Sequence, residues 1–192
     1  KKLLKADGKP LGNMAHPQGE VKEQIEQLLR NKLQGELSEP YGLAFTFHRN
    51  YFPYGTHTDS GYDPEEWIYK QGIIPLEVDP VDTKVFTIIF EQKAYHSVSY
   101  PGKVETIRAL RPEELAMIEG LTDKTLSDEE LTDYFQGKQD SERFRGFQVA
   151  LPFEWKLGNM ALWDRSHLHC SSDFECHGVN GKLGLMWISW RL

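Results

Sequence analysis

Two short segments of the chain contain the side chains that could hold a metal ion. The first is His57-Thr58-Asp59, and the second runs from Gly158 to His169 and includes His167 near its end. Two imidazoles and one carboxylate form a donor set that binds ferrous iron on one side and leaves its other positions open. Residues i and i+2 of a strand point to the same face, so His57 and Asp59 can bind one ion together. The third ligand must come from a neighbouring strand, which accounts for the long separation in sequence.

These segments resemble the metal-binding motifs of the Fe(II)/2-oxoglutarate-dependent dioxygenases, a family with a double-stranded β-helix (cupin-like) fold. Tyr51-x-x-x-Gly55-x-His57-x-Asp59 is similar to the tyrosine and glycine that lead into the family's His-x-Asp. The stretch from Gly158 to His169 is similar to the family's glycine, apolar strand, aromatic–Asp pair and distal histidine. The resemblance spans roughly residues 41–192. It implies ferrous iron with 2-oxoglutarate and O2 as co-substrates, and hydroxylation of an unidentified substrate with release of succinate and CO2.

The resemblance implies that His57, Asp59 and His169 are both the metal ligands and the catalytic set. His167 and His169 have the same strand parity, so a regular strand would point both to one face. The family's spacing from Gly158 and Asp164 favours His169 as the ligand and leaves His167 nearby in the pocket. Related halogenases have a small residue in place of the carboxylate, so the presence of Asp59 favours hydroxylation or desaturation.

An anchor for 2-oxoglutarate is the next requirement, because an unpaired charge inside a barrel is costly. The resemblance implies a cation on the strand that follows the distal histidine, here Lys182, which lies 13 residues after His169. Arg191, at the opposite strand parity, is the second candidate, and either cation could instead be a solvated charge at a strand end. Arg49 and Tyr51, just ahead of the metal motif, are candidates for hydrogen bonding to 2-oxoglutarate, although Tyr51 could equally be a core aromatic.

The hydrophobic pattern predicts the elements that must position these residues. Residues 1–19 read as loop, and residues 20–32 read as an amphipathic helix that stops at Gly35. Strand patterns cover residues 41–47, 73–78, 85–90, 97–100, 104–110, 147–151, 159–163, 167–170 and 182–190. A helical insertion, a lid or a solvated excursion, occupies roughly residues 111–145, with capping-box spacing between Ser127 and Glu130. This order predicts a mainly β fold with flanking helices, a jelly roll or double-stranded β-helix.

Composition limits the remaining possibilities. A chain of 192 residues fits one domain with an insertion, and its first residue, Lys1, indicates a partial chain. The net charge of −7 and the lack of a long basic run argue against nucleic acid or an anionic membrane as partner. We therefore expect a small-molecule or peptidyl substrate. No apolar run reaches membrane-spanning length, and the start has no secretory pattern. The only two cysteines, Cys170 and Cys176, could not form a disulfide framework, so a reduced, cytoplasmic setting is expected.

Three other interpretations stay open at this point. One is a metal-dependent cupin enzyme that does not use 2-oxoglutarate. Another is a non-catalytic β-sandwich binding module whose exposed tryptophans contact the ligand. The third is a structural zinc site built from the histidines and thiols near the end of the chain, which are His167, His169, Cys170, Cys176 and His177.

Overall fold

The computed structural model describes residues 2–4, 10–38, 40–60, 63–81, 83–95, 112–135 and 144–192. The nine strands in this part of the chain are β1 (Lys2–Leu4), β2 (Pro10–Ala15), β3 (Tyr41–Asn50), β4 (Ile68–Asp79), β5 (Phe86–Lys93), β6 (Val149–Glu154), β7 (Ala161–Asp164), β8 (His167–Ser171) and β9 (Gly181–Arg191). The α-helices are α1 (Gly19–Leu33), α2 (Pro112–Leu115) and α3 (Asp128–Phe135), and a 3-10 turn covers Glu65–Trp67. The strands predicted at 97–100 and 104–110 lie outside the described residues.

The strands form two antiparallel sheets. The larger sheet has the order β1-β2-β3-β9-β4-β7, and the smaller has the order β6-β5-β8. Two side-chain faces of these sheets pack together in a cluster that joins Ile73 and Trp163 of the large sheet to Ile89 and Phe153 of the small one. The prediction of a mainly β fold with flanking helices is therefore confirmed.

Strand β9 lies in the middle of the large sheet, and its two faces contact different parts of the fold. Leu185 and Trp187 pack with Leu29 and Leu33 of α1, so this face of β9 is covered by the helix. Met186, of the opposite parity, packs against the cluster between the sheets. Even-numbered β9 residues therefore point to the interior of the fold, and odd-numbered ones point to α1.

The predicted amphipathic helix is confirmed as α1. Its buried residues are Leu29 and Leu33, four positions apart on one face. Gly35 follows with φ of +88°, a left-handed conformation that glycine adopts without the Cβ penalty of other residues. The predicted stop signal thus works as expected.

The described part of the helical insertion packs on the back of the small sheet. Leu131 and Phe135 of α3 join a core cluster with Phe90, Leu168 and Cys170. The predicted capping box is present, because the Ser127 backbone N–H donates to Glu130 Oε2 at 2.8 Å and the Glu130 N–H donates to Ser127 Oγ at 3.2 Å. These residues cover the outer face of the sheet and lie away from the interior.

The prediction of a loop over residues 1–19 is wrong in part. β1 and β2 pair with each other, and β2 also pairs with β3, so they extend the large sheet. Pro10 occupies the first position of β2, where a strand tolerates the missing N–H. The partner that joins β2 to the large sheet, β3, is more than 30 residues away in sequence, so the local pattern of Gly and Pro hid the strand. Among the described residues, no helix is long and apolar enough to cross a membrane.

Candidate metal centre

The structure brings the three predicted ligands together. One ligand atom from each of His57, Asp59 and His169 lies within 4.8 Å of the others. His169 Nε2 is 3.3 Å from Asp59 Oδ2, and His57 Nε2 is 3.8 Å from Asp59 Oδ1. Across the described ranges, no other group of three His, Cys, Asp or Glu side chains converges in this way.

Backbone pairing sets the positions of the two histidines. The His57 N–H donates to the His169 carbonyl at 3.0 Å, and the His169 N–H donates to the His57 carbonyl at 2.9 Å. This reciprocal bridge adds the His57 segment to the free edge of β8. Directly opposed residues on paired strands place their side chains on one face, and the imidazole centroids are 4.3 Å apart. Asp59, two residues after His57, completes the group, although it lies in a bend and not on the strand that the sequence predicted.

The imidazoles are oriented by carbonyl groups on the side away from Asp59. His57 Nδ1 is 2.7 Å from the Gly55 carbonyl, and His169 Nδ1 is 3.2 Å from the His167 carbonyl. A carbonyl only accepts hydrogen bonds, so both Nδ1 atoms carry the proton and both Nε2 atoms present a lone pair. The Nε2 of His169 is buried and has no hydrogen-bond partner in the described part of the chain. Such an orphaned acceptor is costly, and a metal ion would satisfy it.

Charges around the cluster favour the protonation states that a metal requires. Burial alone would raise the pKa of the Asp59 carboxyl, but His169, His57 and Arg165 together hold it well below its ordinary value. Burial, followed by the neighbouring His169, lowers the pKa of His57. An ionised carboxylate and a neutral imidazole are the ligand forms, so the donor set fits a ferrous ion.

Two buried residues hold Asp59 in place. The Gln71 side chain, in the amide orientation that satisfies its neighbours, donates to Asp59 Oδ2 at 2.9 Å and accepts from Trp163 Nε1 at 2.6 Å. Arg165, which is 3% exposed, donates through Nη2 to the Asp59 carbonyl at 2.8 Å and to Asp63 Oδ2 at 2.7 Å. Sequence reasoning missed both Gln71 and Arg165, because each contact joins segments far apart in the chain.

Lys182 is a buried cation on the interior face of β9. It is 1% exposed, and its Nζ donates to Ser171 Oγ at 3.3 Å. The Nζ also lies 4.0 Å from the ring centroid of Trp155 and 5.0 Å from that of Phe174. No carboxylate of the described residues pairs with it, and burial lowers the pKa of Lys182 to about 7. Asn50 lies directly opposite Lys182 in the β3–β9 ladder, and its buried Oδ1 has no hydrogen-bond partner among the described residues.

Two uncharged side chains, His48 and Tyr54, lie near the metal cluster. His48 Nε2 is 3.2 Å from the Tyr54 hydroxyl, and its Nδ1 is 3.2 Å from Met186 Sδ on the interior face of β9. The Tyr54 ring centroid lies 6.1 Å from that of His57. Burial, followed by the charge of Lys182, lowers the pKa of His48 to about 4, so the imidazole is neutral at pH 7. Neither His48 nor Tyr54 was predicted from the sequence to take part in the site.

Neither Arg191 nor Arg49 lies beside Lys182. Arg191 is on the α1-facing side of β9, with its guanidinium 5.0 Å from the Tyr69 ring centroid, and it lines a cavity of about 470 Å³ with Lys93 of β5 and Asp164 of β7. Arg49 forms a double hydrogen bond with Glu77, with N–O distances of 2.7 and 2.6 Å. Tyr51 is half-buried and follows β3 directly. The structure does not bring Arg191 or Arg49 to the interior.

His167 lies beside the cluster but outside the group of three. Its Nδ1 donates to the Phe90 carbonyl at 2.6 Å, and its Nε2 is 3.9 Å from Asp164 Oδ2.

The cysteine-based zinc interpretation has no converging donor set in the described ranges. Cys170 is buried in the core behind the small sheet, and burial raises the pKa of its thiol to about 12. Cys176 Sγ donates to Asp173 Oδ2 at 2.9 Å instead of meeting other metal-type donors. Trp155, Trp163 and Trp187 are buried and belong to the core, whereas Trp67 is 53% exposed.

Two sheets that enclose a His-Asp-His cluster define the class of fold, the double-stranded β-helix of the cupin or jelly-roll enzymes. A crystal structure of the non-haem alpha ketoglutarate dependent epimerase SnoN from nogalamycin biosynthesis matches the chain with a TM-score of 0.50. The match has 9% sequence identity and covers 100% of this chain and 69% of that one. At this identity the similarity establishes the fold, as predicted from the sequence.

Two further crystal structures match with lower TM-scores. SnoN in complex with Fe3+, alpha ketoglutarate and nogalamycin RO has a TM-score of 0.47 and 10% identity, covering 98% of this chain and 69% of that one. EvdO2 from Micromonospora carbonacea var. aurantiaca complexed with 2-oxoglutarate has a TM-score of 0.46 and 11% identity, covering 96% and 69%. No protein-family model and no curated protein matches the chain.

Proposed function

We propose that this protein is an Fe(II)- and 2-oxoglutarate-dependent dioxygenase that hydroxylates a small-molecule or peptidyl substrate. The observation that carries the proposal is that the interior of the fold holds both a group of three potential metal ligands and a buried cation without a carboxylate partner in the described residues. His57, Asp59 and His169 converge within 4.8 Å, and Lys182 is 1% exposed with no carboxylate partner in the described residues. A cupin enzyme that does not use 2-oxoglutarate has no need for this cation. The alpha ketoglutarate dependence of the SnoN epimerase, which shares the fold, supports the same proposal.

The roles of the three ligands follow from their orientation. His57 and His169 would hold the ion through Nε2, because their Nδ1 atoms donate to backbone carbonyls. Asp59 would supply a carboxylate, which the neighbouring His169, His57 and Arg165 keep ionised despite its burial. When bound, ferrous iron supplies open positions for a 2-oxo acid and O2, and the redox chemistry that converts 2-oxoglutarate to succinate and CO2.

Lys182 would pair with the distal carboxylate of 2-oxoglutarate. Trp155 and Phe174 enclose its ammonium group and keep water away, which strengthens an ion pair formed there. The Ser171 hydroxyl is close enough to the ammonium group to contact the same carboxylate. His48 stays neutral, so it neither competes with Lys182 for the carboxylate nor repels a metal ion.

Hydrogen bonds also hold the segment that carries His57 and Asp59 in place. Arg165 ties the Asp59 carbonyl to Asp63 and, through Nη1, to the Ser189 carbonyl of β9 at 3.2 Å. The segment that carries the His-x-Asp pair is therefore attached to the large sheet. Because the same segment bridges to β8 through His57, the two sheets together fix the ligand positions.

Succinate production tests the proposal. Metal-free protein is loaded with Fe(II) under anaerobic conditions and then given 2-oxoglutarate and air, and succinate is measured with and without a library of candidate substrates. We expect slow succinate release that a true substrate accelerates. Asp59→Ala should abolish the release, whereas Asp123→Ala, which removes an exposed carboxylate of the insertion, should not. Protein that binds Fe(II) but never consumes 2-oxoglutarate would favour the cupin alternative, and protein that binds no metal would exclude both.

A further inference from the structure

We infer that Gln71, oriented by Trp163, is the positioning residue that sets the Asp59 carboxylate for metal binding. The three side chains form a chain of two hydrogen bonds. Trp163 Nε1 donates to Gln71 Oε1 at 2.6 Å, and Gln71 Nε2 donates to Asp59 Oδ2 at 2.9 Å. Gln71 is 2% exposed and Trp163 is 7% exposed, so water does not compete for these contacts. The inference rests on the proposed function, because it concerns the same metal site.

The sheet fixes this chain of contacts. Gln71 of β4 and Trp163 of β7 are direct partners in the antiparallel ladder, so their side chains project from one face. That face is the interior one, because Trp163 belongs to the cluster between the sheets. Asp59 then meets Gln71 from the opposite side, on the segment that Arg165 attaches to β9.

Trp163 determines the direction of the Gln71 amide. An amide can present either its oxygen or its NH2 group to a neighbour, whereas an indole N–H can only donate. The indole therefore holds Oε1, and the NH2 group must face the carboxylate. Without the indole N–H, the amide could turn its oxygen toward Asp59, where two acceptors would repel each other. A phenyl ring at position 163 removes the indole N–H and keeps an aromatic ring beside the ligand His169, whose ring centroid lies 5.3 Å from that of Trp163.

The chain of contacts leaves the two carboxylate oxygens in different environments. Oδ2 accepts from Gln71, whereas Oδ1 has no hydrogen bond from the described residues and lies 3.8 Å from His57 Nε2. The carboxylate is thereby held against rotation, with one oxygen available to a metal. Contacts of this kind to a ligand typically change metal affinity by about 10–100-fold when they are removed.

The test measures Co(II) binding to the metal-free protein, followed by the visible absorption of the bound ion. Trp163→Phe and Gln71→Met should each weaken Co(II) binding by about 10–100-fold, as for other residues that contact a metal ligand. We expect the absorption spectrum of bound Co(II) to change as well, because the carboxylate is free to rotate. Trp187→Phe is the matched control, since Trp187 is 1% exposed on the α1 side and its Nε1 has no partner in the described residues.

A double-mutant cycle separates positioning from a general loss of packing. If Trp163 acts through Gln71, adding Trp163→Phe to Gln71→Met should cause no further loss of Co(II) affinity. Additive losses, or an equal loss in Trp187→Phe, would overturn the inference. If Trp163→Phe does not fold, as judged by thermal unfolding, Gln71→Met alone decides, and wild-type-like affinity and spectrum would refute the idea. Wild-type protein that binds Co(II) keeps the proposed function standing in either case, whereas a wild type that binds none overturns both.

Discussion

Replacing Lys182 by methionine should stabilise the empty protein and at the same time destroy its affinity for 2-oxoglutarate. The two effects have opposite signs because they have one cause, a buried ammonium group with no anionic partner in the described residues. Methionine keeps the aliphatic length and packs against Trp155 and Phe174, but it brings no charge. A residue with a purely structural role would not produce this combination.

The expected stability change follows from the pKa of Lys182, which burial lowers from 10.5 to about 7. Between these values the unfolded chain binds the proton and the folded chain does not, so stability increases with pH. The charged form costs about 5 kcal/mol in the folded state, at about 1.4 kcal/mol per pKa unit. We therefore expect Lys182→Met to raise the free energy of unfolding by about 3–5 kcal/mol at pH 7, where most of this cost is present. Wild type should gain about 2–3 kcal/mol between pH 7.5 and 9.5 relative to the variant.

The binding change has the opposite sign. A desolvated carboxylate without its partner costs about 3–5 kcal/mol, so the Kd for 2-oxoglutarate should rise by about 100-fold or more. In the wild type, 2-oxoglutarate should also bind more weakly above pH 7, by up to about tenfold per pH unit, because binding requires protonation of Lys182. Metal affinity should change little, since Lys182 is not among the three ligands.

Two measurements check this reasoning. Urea unfolding of the metal-free proteins at pH 7, 7.5 and 9.5 gives the stability difference, and calorimetry with Mn(II)-loaded protein gives the 2-oxoglutarate affinity without turnover. Arg191→Met, at the other end of β9, is the control for loss of a cation. If Lys182→Met is less stable than wild type and binds 2-oxoglutarate equally well, the ammonium group is not the anchor. An affinity loss in Arg191→Met alone would move the anchor to that residue.

Three further substitutions test other parts of the site and fold. Asp59→Ala should weaken Co(II) binding by at least about tenfold and stop succinate formation, since a lost ligand is worth more than a lost neighbour of a ligand; unchanged succinate formation would contradict the triad. Arg165→Met should lower the free energy of unfolding in urea by about 3 kcal/mol, because the buried carbonyl of Asp59 loses a charged donor; a loss below about 1 kcal/mol would mean that water replaces it. Gly72→Ala should cost about 1–3 kcal/mol by the same measurement, because its Cβ would meet the Ala161 carbonyl oxygen and the chain must shift; a neutral result would show that β7 moves freely.

The sequence was most informative where local spacing determines geometry. The ligand atoms of His57 and Asp59 do form one group with His169, as the alternation of side chains predicted. The segment is not the strand that this argument assumed, however, because His57 forms only an isolated bridge and Asp59 lies in a bend. Local periodicity also predicted the helix over 20–32 and the strands over 41–47, 73–78 and 182–190, which lie within α1, β3, β4 and β9, although the first half of β4 was not predicted. Parity even separated Lys182 from Arg191 in advance, since the two lie on opposite faces of β9.

The residues that sequence reasoning missed depend on long-range pairing. β2 became a strand only because β3 offers it a partner, and its own Gly and Pro pointed to a loop. Gln71 meets Trp163 because β4 and β7 are in a particular register, which no local pattern encodes. A signal for His48 was available, because it occupies an interior parity of β3, but a lone histidine on a strand is not specific.

The distribution of charge inside the fold favours a dicarboxylate as the small ligand. An anionic carboxylate, Asp59, belongs to the metal-type cluster, and a buried cation, Lys182, stands apart from it without a partner in the described residues. His48 has a pKa of about 4 and adds no charge near pH 7. A 2-oxo acid with an apolar tail would leave the Lys182 ammonium buried and unpaired, whereas a second carboxylate would neutralise it. A site with a buried polar group rejects ligands that leave this group unpaired. The Lys182 ammonium, which destabilises the empty protein, would therefore select 2-oxoglutarate over monocarboxylates.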